Sequence, residues 1–290
     1  MSTRTASLRA AFVAVTALAG LSVAAAGGPP AAAGGGELEF VSSSSLTDTD
    51  PTKSWFVTCP TGKVILSGGA FLFGDTAGVH IDLLRPSPTG AFFEAAASRT
   101  APARRRGEWQ LTVYGVCAAR PAGLVYVDPA QSDSYDSPLR TALATCPAGK
   151  TLVGFGGRAA VEPGRDVALT VVQPSADLTR VVVQSWSGEG GETDDWTAEA
   201  YAVCADPLPS AELVRTTAGP DATDGKVAGS ACPAGKQLHA IGAGIFNGAG
   251  QAWYAGLYPA ADLQSGTAVA TEDPTGWAGA WFVTSFAICA

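Results

Sequence analysis

Few side chains in this chain are of the kinds that break bonds or hold metals. Only two histidines occur, His80 and His239, and neither sits in an H-E-x-x-H or similar ligand spacing. No C-x-x-C pair and no G-x-S-x-G turn is present, so dithiol redox and α/β-hydrolase chemistry lack their motifs. Acid pairs do occur, as Asp48 and Asp50 in Thr-Asp-Thr-Asp and as Asp194-Asp195 before Trp196. Paired carboxylates can cleave a glycoside or hold Ca²⁺, but Asp beside Thr, Ser, Gly and Pro is also ordinary turn chemistry. The full EF-hand spacing is absent. The turn reading is the simpler one, and no metal or cofactor is expected.

The remaining chemistry-bearing residues are aromatic and cationic, and both follow an internal repeat. Cys59-Pro60-Thr61-Gly62-Lys63 recurs as Cys146-Pro147-Ala148-Gly149-Lys150 and as Cys232-Pro233-Ala234-Gly235-Lys236. A second cysteine follows in each copy, at Cys117, Cys204 and Cys289. Eight residues before it stands a tryptophan (Trp109, Trp196, Trp281), and three before it an aromatic (Tyr114, Tyr201, Phe286). A glycine lies ten residues after each first cysteine, at Gly69, Gly156 and Gly242. A proline follows further on, at Pro86, Pro174 and Pro259. Lys53, Arg140 and Lys226 repeat six residues before each first cysteine. Together with the three C-P-x-G-K lysines they are read as structural, stems covering apolar surface with heads in water. The rival reading is a set of cations gathered around a threefold axis for an anion.

Trp109, Trp196 and Trp281 recur in every copy and are expected in the core. Trp55, Trp186, Trp253 and Trp277 do not recur. The third copy concentrates such extras, so Trp253, Tyr258 and Trp277 are the candidate binding residues, a stacking platform for sugar rings or a protein partner. The competing reading is packing between copies. His239 stands where the other copies have Leu66 and Val153 and is read as a replaced core aliphatic. His80 is likewise read as structural.

The elements that must position these residues are strands. Trp109 to Cys117 is β-branched and aromatic without proline, and its two faces are both partly apolar. Val64–Phe73, Thr151–Ala160, His80–Leu84, Ala168–Val172, Phe92–Ala97 and Val181–Trp186 read as strands too. Pro-x-Gly after each first cysteine is a turn. No window has helical periodicity. The expected fold is all-β: three tandem antiparallel modules, each with one internal disulfide, forming separate sandwiches or barrels or a pseudo-threefold prism. Repeat 1 spans residues 37–119, repeat 2 123–206 and repeat 3 212–290. Six cysteines permit fifteen connectivities, and the repeat selects Cys59–Cys117, Cys146–Cys204 and Cys232–Cys289. Each copy thereby carries its own staple, worth about 4 kcal/mol in the chain-entropy picture.

Residues 1–26 read as a secretory signal, with Arg4 and Arg9, a short apolar run and Ala24-Ala25-Ala26. A second A-x-A at Ala31 to Ala33 offers another cut. Residues 27–36 read as a flexible Gly/Pro/Ala leader. Losing Arg4 and Arg9, with no acid in that stretch, takes the formal charge from −8 to −10. An acidic chain repels polyanions, so nucleic acid is not an expected partner. No later run is long and apolar enough to cross a bilayer. Disulfides, signal and composition together point to a bacterial protein that is secreted or associated with the cell envelope.

The pattern C-P-x-G-K, a Gly-rich strand, Leu/Gln-x-Pro or Leu-Tyr-Pro, then W-x-x-x-x-[YF]-x-[VI]-C-A resembles a secreted repeat family common in actinobacteria. The resemblance covers all three copies and implies a compartment and an all-β module, with no activity attached. There is a further architectural likeness to the vitelline membrane outer layer proteins, whose shorter repeats also carry Trp and C-P-x-G. That likeness implies a pseudo-threefold β-prism. The functional expectation is an exported, non-catalytic binding or cell-envelope protein with carbohydrate or a cell-surface protein as partner. Two alternatives stand beside it. One is a secreted hydrolase, which needs Asp48, Asp50, Asp133, Asp136, Asp221 or Asp224 to converge in a cleft. The other is a structural coat component.

Overall fold

The computed structural model describes residues 38–100, 107–133, 137–162, 164–188 and 195–290, so the stretches read as signal (1–26) and leader (27–36) lie outside the described residues. Every regular element among the described residues is a strand. Repeat 1 supplies β1 (Glu39–Ser44), β2 (Thr52–Thr58), β3 (Lys63–Gly74), β4 (Val79–Pro86), β5 (Phe92–Arg99) and β6 (Trp109–Ala119). Repeat 2 supplies β7 (Val125–Tyr126), β8 (Ala130–Gln131), β9 (Leu139–Thr145), β10 (Thr151–Ala160), β11 (Val167–Pro174), β12 (Arg180–Ser187) and β13 (Thr197–Ala205). Repeat 3 supplies β14 (Glu212–Asp221), β15 (Gly225–Ala231), β16 (Leu238–Phe246), β17 (Ala252–Pro259), β18 (Ser265–Glu272) and β19 (Trp281–Cys289). No described helix is long and apolar enough to cross a membrane.

The modules are tandem in sequence but interlocked in space. The first sheet runs β1-β6-β3-β17-β18-β15, joining repeats 1 and 3. The second runs β2-β5-β4-β10-β13-β7, with β8 also on β13, and joins repeats 1 and 2. The third, β14-β19-β16-β11-β12-β9, joins repeats 3 and 2. Each repeat thus gives half of one sheet and half of the next, which is the pseudo-threefold arrangement rather than three separate sandwiches.

The joins between copies explain the repeated glycine. Each is only two residue pairs long: Phe71 and Ala70 of β3 on β17, Gly157 and Arg158 of β10 on β4, and Val171 and Val172 of β11 on β16. A Cβ on Gly69 would lie 1.9 Å from the Leu257 carbonyl oxygen, and one on Gly156 2.0 Å from that of Leu84. Backbone meets backbone there, and only glycine leaves room.

The three disulfides are Cys59–Cys117, Cys146–Cys204 and Cys232–Cys289, with Cα atoms 5.6–5.7 Å apart. Each first cysteine follows an edge strand of one sheet, while its partner lies in the neighbouring sheet. The bridges therefore fasten first sheet to second, second to third and third to first.

The repeated cation and tryptophan are one device. Lys53 stands 5.0 Å from the Trp109 ring centre, Arg140 4.3 Å from Trp196 and Lys226 4.4 Å from Trp281. All three cations are buried. Asp48 and Asp221 bond Lys53 and Lys226, and those lysine contacts hold both carboxyls below their ordinary range. The C-P-x-G-K lysines pair with Glu39, Asp206 and Glu212. Every lysine thus faces a carboxylate of its own. They do not gather around an anion site.

Both histidines, read from the sequence as structural, lie where copies meet. His80 and Trp253 stand six residues before the repeated proline, where repeat 2 has Ala168, and their rings stack at 4.9 Å and 25°. His80 Nε2 lies 2.8 Å from Asp82 Oδ1. Burial disfavours the imidazolium, but Asp82, with Asp166 and the Val167 backbone, outweighs it and raises the histidine's pKa above its usual value. Leu66, Val153 and His239 sit at the register shifts of β3, β10 and β16.

His239 is 8% exposed, and burial lowers its pKa to about 4. Arg120 and Asp206 line the same small cavity. Below about pH 6.5 the unfolded chain takes up a proton that folded His239 refuses until about pH 4. This contribution is zero above pH 6.5 and grows as pH falls, approaching roughly 3 kcal/mol of destabilisation. Denaturant unfolding of His239→Leu and the parent between pH 7 and 4 should show a stability difference that widens on acidification. A pH-independent difference would show that His239 titrates normally.

Candidate functional site

The residue before each repeated proline points outward, and it differs in every sheet. It is Arg85 in the second sheet, Gln173 in the third and Tyr258 in the first. Across the sheet from it lies the repeated glycine, and beyond that the repeated aromatic, as with Gly69 opposite Tyr114. One plan therefore gives three faces of different chemistry.

On the first sheet it gives a run of aromatic rings. Phe40 of β1 lies 5.8 Å from Tyr114 of β6, which lies 5.5 Å from Tyr258 of β17. Tyr258 meets Phe71 of β3 edge-on at 5.2 Å, and Phe71 meets Phe73 at 4.6 Å. Strand alternation places these rings outside, because Leu111, Val113, Ala70 and Leu72 between them are buried. Glycine makes the floor: a Cβ on Gly256 would stand 2.4 Å from the Phe71 ring. Phe73 is 45% exposed and the other four are half-buried.

Charge is confined to the margins of this face. The remaining outward positions along these strands are Ser, Thr, Gln, Val and Gly, including Ser44 and Thr112 bonded at 2.8 Å. Lys63 and Glu39 lie at one end and Asp224, bonded by Thr271, at the other. Burial, with Tyr258 alongside, raises the Tyr114 hydroxyl above its ordinary pKa. It stays neutral, able both to donate and to accept. Chemically the face offers ring surfaces and uncharged hydroxyls.

Of the three aromatics singled out in the sequence, only Tyr258 belongs to it. Trp253 is 2% exposed, its ring taken up by His80, so it presents no surface to a ligand. Trp277 is half-buried in the loop after β18, where its backbone N–H donates to Glu272 and its ring covers Gly279. Trp55 bonds Ser43 across the β1–β2 corner. Phe40, Phe71 and Phe73 were not singled out. The period-two spacing of Gly69, Phe71 and Phe73 marks an outward aromatic strip, but only the β3–β17 join brings Tyr258 onto it.

The acids do not assemble a cleft among the described residues. Asp48 serves Lys53 and the Asp50 N–H, Asp221 serves Lys226 and Thr223, and Asp224 serves Thr271. Each carboxylate is spent in its own corner loop. Asp136 and Asp194 lie outside the described residues. No group of three or more His, Cys, Asp or Glu among the described residues is placed to hold a metal ion. Compared with family models and with curated protein sequences, the chain matches none.

Proposed function

We propose that this is an exported, non-catalytic protein that binds neutral polysaccharide on the aromatic face of its first sheet. The observation that carries this reading is an unbroken run of five aromatic rings on a face whose described charges, Lys63, Glu39 and Asp224, lie at its margins, in a protein that is acidic. Sugar rings present C–H faces that stack on aromatic rings, and hydroxyls that bond Tyr, Ser and Thr without needing an ion. Three disulfides suit a compartment in which thiols oxidise.

Depletion from solution by insoluble glucan, chitin and cell-wall polysaccharide tests this reading. Phe73→Ala and Tyr258→Ala should each weaken retention about tenfold, equivalent to roughly 1.4 kcal/mol. Retention should barely change between low and high salt, since no charges are paired. Unaltered retention of the double variant, or binding abolished by salt, would remove the aromatic face from consideration.

A further inference from the structure

The second sheet carries a cavity whose origin is one interruption in an edge strand. Over the matching stretch of repeats 1 and 3 the first strand pairs continuously with its neighbour, from Glu39–Cys117 to Ser44–Thr112 and from Glu212–Cys289 to Ala218–Val283, and β14 shifts register only beyond that, between Ala218 and Asp221. In repeat 2 the same strand is split. Tyr126 pairs with Val203 and Ala130 with Ala200, so three residues face two and the chain arches off β13. Pro129 within the arch has no N–H to bond the sheet, so the break is written into the sequence as Asp128-Pro129. Beneath the arch lies a space of about 260 Å³.

The floor is a fixed polar network. Glu199, 7% exposed, accepts from the Tyr201 hydroxyl and from Gln131 Nε2 at 2.9 Å, and lies 3.6 Å from Arg158. Arg85 enters from β4, paired with Glu94, and its buried Nε–H has no acceptor among the described residues. The Tyr126 hydroxyl donates to the Ile65 carbonyl, which fixes that ring as a wall. Burial and Glu199 raise the Tyr201 hydroxyl, so it remains a donor. Pro86, Pro88 and Pro129 supply apolar sides.

The lining sets two guanidiniums, Arg85 and Arg158, against two carboxylates, Asp128 and Glu199. An anion would meet Arg85 already paired with Glu94 and Arg158 beside Glu199, and a cation would meet a Glu199 already bonded by Tyr201 and Gln131. Vicinal hydroxyls suit both at once, accepting from a guanidinium while donating to a carboxylate. The volume falls short of the roughly 300–1,000 Å³ of sites for drug-sized ligands. One ring fits, and a chain does not.

We propose that this cavity is a second, separate site that takes a single pyranose ring of a neutral saccharide, as a free sugar or a chain end. It lies on a different sheet from the aromatic face, and its test is independent of that reading. Calorimetric or NMR titration of the mature protein would use glucose, galactose, mannose and N-acetylglucosamine, with glucuronate as the charged comparison. At least one neutral sugar should bind with a dissociation constant on the order of 1 mM, as ligand efficiency suggests for about a dozen heavy atoms. Arg158→Ala and Gln131→Ala, both reaching solvent, should each weaken it about tenfold with the thermal midpoint preserved. Phe73→Ala with Tyr258→Ala should leave it unchanged while abolishing polysaccharide retention. Loss of monosaccharide binding in that face variant alone would place the sugar on the first sheet and overturn the pocket. Failure of all four neutral sugars at 50-fold the expected constant, or preference for glucuronate, would overturn it equally.

Discussion

A single repeat cut from the chain, residues 123–206, will not fold as a monomer. Its strands belong to two different sheets: β7, β8, β10 and β13 complete the second, while β9, β11 and β12 complete the third. Within the excised piece, β10 has lost β4 and β11 has lost β16. Leu152, Phe155, Leu169, Val172, Val181 and Val183 share one core cluster with residues of the other two copies, such as Phe93, Ile241 and Tyr254. Exposing such side chains forfeits about 1.5–3 kcal/mol each, so losing three already exceeds the ~4 kcal/mol of the remaining disulfide. Circular dichroism and sedimentation of the oxidised fragment should show a disordered monomer at micromolar concentration. A cooperative, monomeric fold with native near-ultraviolet signal would show that each repeat closes its own core.

The sequence leaves this arrangement open between separate sandwiches and a pseudo-threefold prism, and the exchange of strands between sheets is what it does not disclose. Class, strand positions, repeat boundaries and cysteine pairing are all local or periodic properties. Trp109-to-Cys117 alternation and the 57- and 58-residue cysteine separations carry them directly. Sheet membership is neither local nor periodic. It rests on two-residue joins such as Gly256–Phe71, whose only trace in the sequence is a glycine that any bulge could explain. The same limit governs the site. Tyr258 stood out as an aromatic that the other copies lack, yet its neighbours Tyr114 and Phe71 come from another repeat. Trp253 stood out for the same reason, but its partner His80 also lies in another repeat, and their stacking takes both rings into the core. An unmatched aromatic therefore marks either a face or a junction, and only the join between copies separates the two.

Trp281→Ala should be the most damaging single substitution among those considered, because three supports fail together. The ring is fully buried, so its removal leaves a cavity, at about 3–5 kcal/mol for a large aromatic. Its Nε1–H donates to the Thr223 carbonyl at 3.1 Å and to Glu272 Oε1 at 2.9 Å, and losing it leaves both acceptors short of a partner, at about 1 kcal/mol or more. The Lys226 ammonium, 4.4 Å from the ring centre and shielded from water, then keeps Asp221 but loses its aromatic wall. A total near 4–6 kcal/mol is a large share of the roughly 5–15 kcal/mol that holds a domain together. For a chain of this size the thermal midpoint should fall by about 10–20 °C. Trp281→Phe separates the contributions, since it keeps a ring over Lys226 and fills most of the volume while deleting the N–H. Its midpoint should lie between those of the parent and the alanine variant. A phenylalanine variant as unstable as alanine would make the indole hydrogen bonds the dominant support. An alanine variant that melts with the parent would show that the repeated tryptophan is not the pillar its burial makes it.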